Sequence, residues 1–350
     1  MGLKIFLTGA TGYIGGTALA YLAKSHPGYE FTLLVRSEEK GKPIKAKYPN
    51  AKLLYGGLTD SAVVEQAAAE ADVVVHTADS SDNAPGAQAI AKGLARGHSA
   101  EKPGYWVHVS GTSILTWFDR QEKRFGEGPV PNQKYHDIDD IDRIVTLPDE
   151  AHHRDVDKIV QSAISDAVKV AILCPPTIYG KGSGPVNTRS VQIPNMARIG
   201  LKNGVVPIVG AGKTEWDHVH IDDLGDLFVR LVDATQDPSL AGNPEVFGLH
   251  GYFFAESGSH RWADVAGWIA EEASRQGFVR EARTGSVTQS EVELLEGVST
   301  GSYGQNSKSV AQRAGRYLGW RPKGGSLRDE VARAVSEEAA ALGLAPKEKA

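Results

Sequence analysis

The stretch Leu3–Gly16, LKIFLTGATGYIGG, constrains the fold of this chain more than any other. The apolar run Leu3, Ile5, Phe6 and Leu7 reads as a buried strand, and a helical pattern follows from Thr17 to Ala23. Between them stand Thr8-Gly9-Ala10-Thr11-Gly12-Tyr13-Ile14-Gly15. Such glycines in a strand-to-helix turn suit a dinucleotide pyrophosphate. Gly9 permits the tight turn, Gly12 lets the backbone approach the phosphates, and Gly15 lets the helix pack against the strand. The helix N-terminus adds free N–H groups and the positive end of its dipole. The spacing is G-x-x-G-x-x-G rather than G-x-G-x-x-G, so the strand before and the helix after carry the reading.

The pattern then recurs. Phe31–Val35, Ala51–Tyr55, Asp72–Thr77, Tyr105–Ser110 and Val168–Cys174 read as strands, with helices at Ala62–Ala71 and Ala84–Arg96. Alternating strands and helices predict an α/β fold with a doubly wound parallel Rossmann sheet. Ligands of such sheets bind beyond the C-terminal strand ends. Gly9, Arg36, Asp60, Thr77 and Ser110 all fall there. The second strand ends in Arg36-Ser37, the position that selects the cofactor. An acid there accepts from the ribose 2′-OH of NAD, whereas an Arg pairs with the 2′-phosphate of NADP. The acid is absent, the base is present, and Lys40 and Lys42 add positive charge, so NADP(H) is the expected cofactor and NAD(H) the alternative. Asp60 also stands where a helix N-cap belongs.

Residues 114–150 are less regular and read as a flap or a surface excursion. A helix is expected from Pro148 through Val160. On it His153 and Asp157 lie one turn apart, as do Arg154 and Lys158, and either pair can project toward the site. The sixth strand ends in Pro175-Pro176-Thr177-Ile178-Tyr179-Gly180, where two prolines fix an extended turn. Later strands are expected at Val205–Val209 and Val246–Leu249. Later helices are expected at Ile193–Leu201, from Asp223 to Val232, and at Trp262–Gln276, Gln289–Glu296, Ser307–Leu318 and Leu327–Leu342. This divides the chain into a dinucleotide-binding domain, 1–180 with 215–250 returning to it, and a smaller helix-rich C-terminal substrate lobe, 181–214 and 251–350.

The net charge is -5 and the sequence pI about 6.1, which argues against nucleic acid and anionic membranes as partners. Cys174 is the only cysteine, as suits a reducing cytosol, and neither a signal peptide nor a membrane span is evident; a cytoplasmic protein is expected. No metal is expected. The acidic run at Asp137, Asp139, Asp140 and Asp142 lacks an EF-hand's Gly and closing Glu, and His218 with His220 lack a third ligand.

These motifs, in this order, resemble the extended short-chain dehydrogenase/reductase superfamily, in its NAD-dependent epimerase/dehydratase branch. Thr8–Gly15 matches T-G-x-x-G-x-x-G, and Leu58-Thr59-Asp60 matches the adenine-side L-x-D. Val75-His76-Thr77-Ala78 matches the V-x-H-x-A that lines the cofactor. Val109-Ser110 matches the catalytic-serine strand, and Pro175–Gly180 the segment whose backbone meets the nicotinamide amide, here through Pro175, Thr177 and Ile178. Val219–Leu224 matches V-H-V-D-D-L.

The resemblance implies cofactor contacts from Gly9, Thr11, Gly12, Tyr13, Ile14, Gly15, Arg36, Ser37, Leu58, Asp60, Thr77 and Ala78 as well. Two departures stand out. The family's Tyr-x-x-x-Lys, whose Lys binds the nicotinamide ribose and lowers the Tyr pKa, has Lys158 in the Lys place, implying that catalytic and cofactor-binding role for it, and Arg154 in the Tyr place. An Arg cannot release a proton near neutrality. The proton must come from His153, His152, Tyr179 or Tyr135, while Ser110 and Thr112 orient a carbonyl. Trp216 replaces the Arg that grips a nucleotide-sugar diphosphate, so Trp216, Tyr179 and Ser110 are expected to meet a smaller, more apolar substrate. The implied function is an NADP(H)-dependent oxidoreductase acting on a small carbonyl or alcohol. The alternatives are an NAD-dependent sugar epimerase or dehydratase and a non-catalytic NADP-binding regulator. Relatives often dimerise through helices flanking the fourth and fifth strands, so a homodimer is an expectation.

Overall fold

Residues 2–295 and 301–346 are described in a computed structural model of the protein. The first part runs β1 (Lys4–Thr8), α1 (Tyr13–Ser25), β2 (Glu30–Val35), α2 (Glu38–Lys47), β3 (Lys52–Tyr55), α3 (Ser61–Glu70), β4 (Val73–His76), α4 (Ala84–Gly97) and β5 (Gly104–Val109). After α5 (Trp117–Glu122), β6 (Lys134–His136) and α6 (Ile141–Val145) come α7 (Arg154–Ser162), β7 (Val168–Cys174) and β8 (Thr177–Tyr179). Then follow α8 (Gln192–Asn203), β9 (Val206–Val209), β10 (Glu215–His220), α9 (Ile221–Ala234), β11 (Tyr252–Phe254) and β12 (Gly258–Arg261). The chain closes with α10 (Trp262–Arg275), β13 (Thr284–Val287), α11 (Gln289–Glu293), β14 (Lys308–Val310), α12 (Arg313–Tyr317) and α13 (Leu327–Ala341). The expected helix end at Glu296 lies outside the described residues.

Seven parallel strands form one sheet in the order β11-β7-β5-β4-β1-β2-β3. The order reverses between β1 and β4, which opens a crevice at their C-terminal ends. Both faces are covered, so a run such as Val73-Val74-Val75 is fully buried. Alternation sends Ile5 and Leu7 to one core, with α1 and α9, and Phe6 to the other, with α3, α4 and α7. A third core holds the smaller lobe: α8, α10 and α13 packed around Trp216 and Trp262. No described helix is long and apolar enough to cross a membrane.

Several boundaries differ from the sequence reading. Residues 246–249 are turn, with Val246 and Phe247 packed into the α1/α9 core; the last sheet strand is β11, six residues on. Residues 252–254 thus belong to the main sheet and not to the lobe. The expected helix Ser307–Leu318 is β14, paired with β6, followed by the short α12. The helix expected from Pro148 begins only at Arg154, because His153 stands at its N-cap with φ +70°. Within the acidic run, Asp137 is buried. Burial pushes its carboxyl up to about 6, although it accepts the amides of Phe254, Gln312 and Arg313 and so pins α12 to the sheet edge.

Candidate active site

The turn after β1 is built on close approach. Gly9 has φ +84°, and the Gly12 amide closes the turn onto the Gly9 carbonyl at 2.8 Å. A Cβ on Gly9 or Gly15 would stand 2.5 or 2.3 Å from Thr77 Oγ1, so no side chain fits at either position. The Thr77 hydroxyl donates to the Thr8 carbonyl, and the Thr8 hydroxyl accepts the Thr77 and Ala78 amides, which locks β1 to β4. Helix α1 starts with Gly12 as N-cap, no capping side chain and no acid in its first turn. Its leading amides are thus offered to an anion, and a dinucleotide pyrophosphate fits there.

The same turn is fastened to the chain that leads into the smaller lobe. The Tyr13 hydroxyl donates to the Gly180 carbonyl at 2.7 Å, the Ser183 amide to Thr17 Oγ1, and the Asn187 amide to the Thr11 carbonyl. Tyr13 is therefore a tie, and what it offers an anion is its amide.

Arg36 is exposed at the end of β2 and has no hydrogen bond or ion pair among the described residues. Ser37 is occupied otherwise: its hydroxyl accepts the Lys40 amide and caps α2. The Asp60 carboxylate does not cap α3 but turns back to accept the Gly57 amide at 2.6 Å, while Leu58 packs beside Gly86.

A cavity of about 350 Å³ opens at the same sheet edge, between Ile14 of α1, residues 110–113 after β5, Pro175, Pro176 and Ile178 after β7, and Trp216 of the lobe. Ser110 and Thr112 are buried there, and among the described residues their hydroxyl oxygens have no hydrogen-bond partner, nor has that of Thr177. Orphaned oxygens beside a cavity are what a bound polar group would satisfy. The Pro175 carbonyl is already taken by the Thr112 amide at 3.1 Å. Trp216 reaches the cavity, whereas Phe253, Phe254 and Trp262 belong to the cores.

Three side chains from distant segments meet at one end of this cavity. His153 Nε2 lies 2.6 Å from Ser113 Oγ, and its Nδ1 lies 2.7 Å from Asp82 Oδ1. Burial would raise the Asp82 carboxyl, but the hydrogen bond from His153 and the charge of both histidines hold it below its ordinary value. The His152 ring lies against that of His153, tilted by 37° with centroids 3.8 Å apart, and burial, with His153 beside it, lowers its pKa to about 4. One turn on, Asp157 is fully buried near Ser110. It accepts the Tyr252 hydroxyl at 2.8 Å, and burial raises its carboxyl to about 6. Asp82, His152 and His153 also bring three ligand atoms within 4.8 Å of one another, a set able to take a metal ion.

Of the two alternative pairs, His153 and Asp157 face inward, whereas Arg154 and Lys158 do not, and the expected site residue Lys158 is displaced. Lys158 is solvent-exposed and paired with Asp149 at 2.8 Å, on the outer side of the helix. Arg154 is buried, with its guanidinium spent on the Leu147 and Val145 carbonyls and on Gln161. One residue along a helix is a rotation of about 100°, enough to exchange inside for outside. Tyr179 is displaced as well: its hydroxyl donates to the Gly325 carbonyl and its ring lies in the lobe's core, away from the cavity. Tyr135 is buried beside the sheet and accepts from Trp117 Nε1. His220 caps α9, and His218 meets His260 at 3.0 Å. Sequence reasoning missed Asp82, for which the sequence holds no signal, and passed over Ser113 in favour of its neighbours.

Comparison with known proteins shows the family of the chain. Residues 9–127 match the NAD(P)H-binding family and residues 150–242 the NAD-dependent epimerase/dehydratase family. The oxidase ucsJ of Acremonium sp is 36% identical over 97% of this chain and 99% of its own. An uncharacterised protein of Saccharomyces cerevisiae is 30% identical over 66% of this chain and 70% of its own. Among solved structures, UDP-glucose-4-epimerase of Stenotrophomonas maltophila with bound NAD superposes with TM-score 0.65 at 15% identity, over 97% of this chain and 99% of that one. The dTDP-glucose 4,6-dehydratase DesIV of Streptomyces venezuelae, with NAD bound, gives 0.63 at 17%, over 97% of each chain.

Proposed function

This chain belongs to the NAD-dependent epimerase/dehydratase branch of the extended short-chain dehydrogenase/reductase superfamily, and from that premise we propose that it is an NADP(H)-dependent oxidoreductase acting on a small carbonyl or alcohol. The observation that carries the reading is the continuity of the cavity, from Ile14 beside the phosphate turn to Ser110, Thr112 and His153. The first-turn amides of α1 hold the pyrophosphate, and Arg36 pairs with a 2′-phosphate. Bound there, the cofactor supplies hydride exchange with a substrate carbon. Ser110 and Thr112 turn their unpartnered hydroxyls to the substrate oxygen and hold it in place. Trp216, Ile178 and the two prolines give an apolar wall, and about 350 Å³ suits a small substrate better than a nucleotide sugar.

Titration of NADPH and NADH, followed by consumption of NADPH against a panel of small aldehydes and ketones, tests the reading. NADPH should bind at least tenfold more tightly than NADH and be oxidised with at least one carbonyl. Tighter NADH binding, insensitive to Arg36→Ala, overturns the NADP preference. The outward Lys158 favours a second reading, an NADP-binding regulator without turnover, because no cation of α7 is left to lower the pKa of a proton donor. Tight NADPH binding with no oxidation across the panel selects it.

A further inference from the structure

We propose that Ser113, His153 and Asp82 form the proton-transfer array of this site, with the Ser113 hydroxyl meeting the substrate oxygen. The proposal rests on the oxidoreductase reading above. His153 has one partner for each ring nitrogen, Ser113 at 2.6 Å and Asp82 at 2.7 Å. An ionised carboxylate only accepts, so Nδ1 carries its hydrogen toward Asp82. That leaves Nε2 of the neutral ring to accept the Ser113 hydroxyl, and Nε2 of the protonated ring to donate to it. Ser113 and His153 both line the cavity. Asp82 is half exposed at its rim, so the far end of the array reaches water.

The backbone supports the arrangement. His153 adopts φ +70°, a left-handed conformation that costs a non-glycine residue free energy and is kept where surrounding contacts fix it. The two residues that stand in the Tyr and Lys places of the family pattern are engaged elsewhere, Arg154 on carbonyls and Lys158 on Asp149.

In the direction of carbonyl reduction the reductant is the reduced nicotinamide dinucleotide. As hydride leaves the ring carbon of that reductant and forms a C–H bond at the carbonyl carbon, the C=O π pair moves to oxygen, and that oxygen takes the proton of Ser113. The Ser113 oxygen takes the Nε2 proton of protonated His153. The ring is left neutral, Asp82 stays ionised and retains the Nδ1 hydrogen bond, and solvent at the rim returns one proton. Oxidation of an alcohol runs the same transfers backward.

The test combines turnover with a readout that needs no cofactor. His153→Gln should lower kcat by about 10²–10³-fold and Ser113→Ala by about 10²-fold, with NADPH affinity unchanged. Asp82 acts through His153 as a positioning residue, so Asp82→Asn should lower kcat about tenfold or more at constant KM. Separately, p-nitrophenyl acetate should acetylate Ser113 in the protein alone, as read by peptide mass, and labelling should slow in both His153→Gln and Asp82→Asn. If the wild type labels in this way yet reduces no carbonyl, the oxidoreductase reading falls and the array stands. If the wild type turns over while His153→Gln stays within twofold in both kcat and labelling, the array is overturned. Inactivation by a chelator, with His152→Ala as damaging as His153→Gln, overturns it in favour of a metal ion on Asp82, His152 and His153.

Discussion

The two ends of the cavity are made in different ways. The nucleotide end is a single local turn, Gly9 to Gly15, in which backbone amides face outward and the fit depends on missing side chains. The proton-transfer end is assembled from the loop after β4, the segment after β5 and the first residue before α7, and there everything depends on side-chain direction. A backbone device tolerates variation in what surrounds it but no added Cβ. A side-chain device tolerates neither a change of partner nor a slip of one residue along its helix.

The largest effect that sharpens this contrast is expected from Gly15→Val. Its Cβ would stand 2.3 Å from Thr77 Oγ1 and 2.4 Å from the Gly9 carbonyl, so β1 and α1 must part. A loss of about 3 kcal/mol or more, with NADPH binding abolished, should appear in denaturant titration and cofactor fluorescence. A variant that keeps wild-type stability would break the close-approach account.

Next comes Asp157→Asn, which alters the buried support of the other end. The folded-state carboxyl sits at about 6 against an ordinary 3.8, so the fold favours the neutral form. Stability from that preference is complete below about pH 4 and is lost as pH rises through 6. The amide cannot ionise. The variant should therefore be more stable than wild type at pH 8, by up to about 3 kcal/mol, and equal to it near pH 4. A Tm difference that does not vary with pH would contradict this.

Arg36→Ala should weaken NADPH about tenfold and leave NADH unchanged, measured by fluorescence titration. The smallest effect should be that of Lys158→Ala. The pair with Asp149 is exposed on both sides, and its removal should change stability by under about 1 kcal/mol and kcat not at all. A kcat drop of tenfold would return Lys158 to the site and undo the assignment of the inward pair.

The sheet and the nucleotide turn were legible because short apolar runs and glycine spacing act through the backbone, which sequence reports directly. The run at Val246-Phe247 misled because a turn packed into a core has the same composition as a short strand. The proton-transfer end was legible only as far as two alternative pairs on one helix. Val156 and Val160 point to the buried face, but Asp157 is buried between them while Ile159 is only partly so, and hydrophobic periodicity cannot weigh a buried carboxyl. Asp82 meets His153 across 71 positions of sequence, a distance no local pattern spans.

The ties from Tyr13, Thr17 and Thr11 to residues 180–187 have a kinetic consequence. They fasten the entrance of the smaller lobe to the turn that receives the first ligand, so whatever settles that turn also settles the mouth through which the second must pass. Addition should therefore be ordered, cofactor before substrate, and product-inhibition patterns should change to random order once Tyr13→Phe cuts the first of those ties.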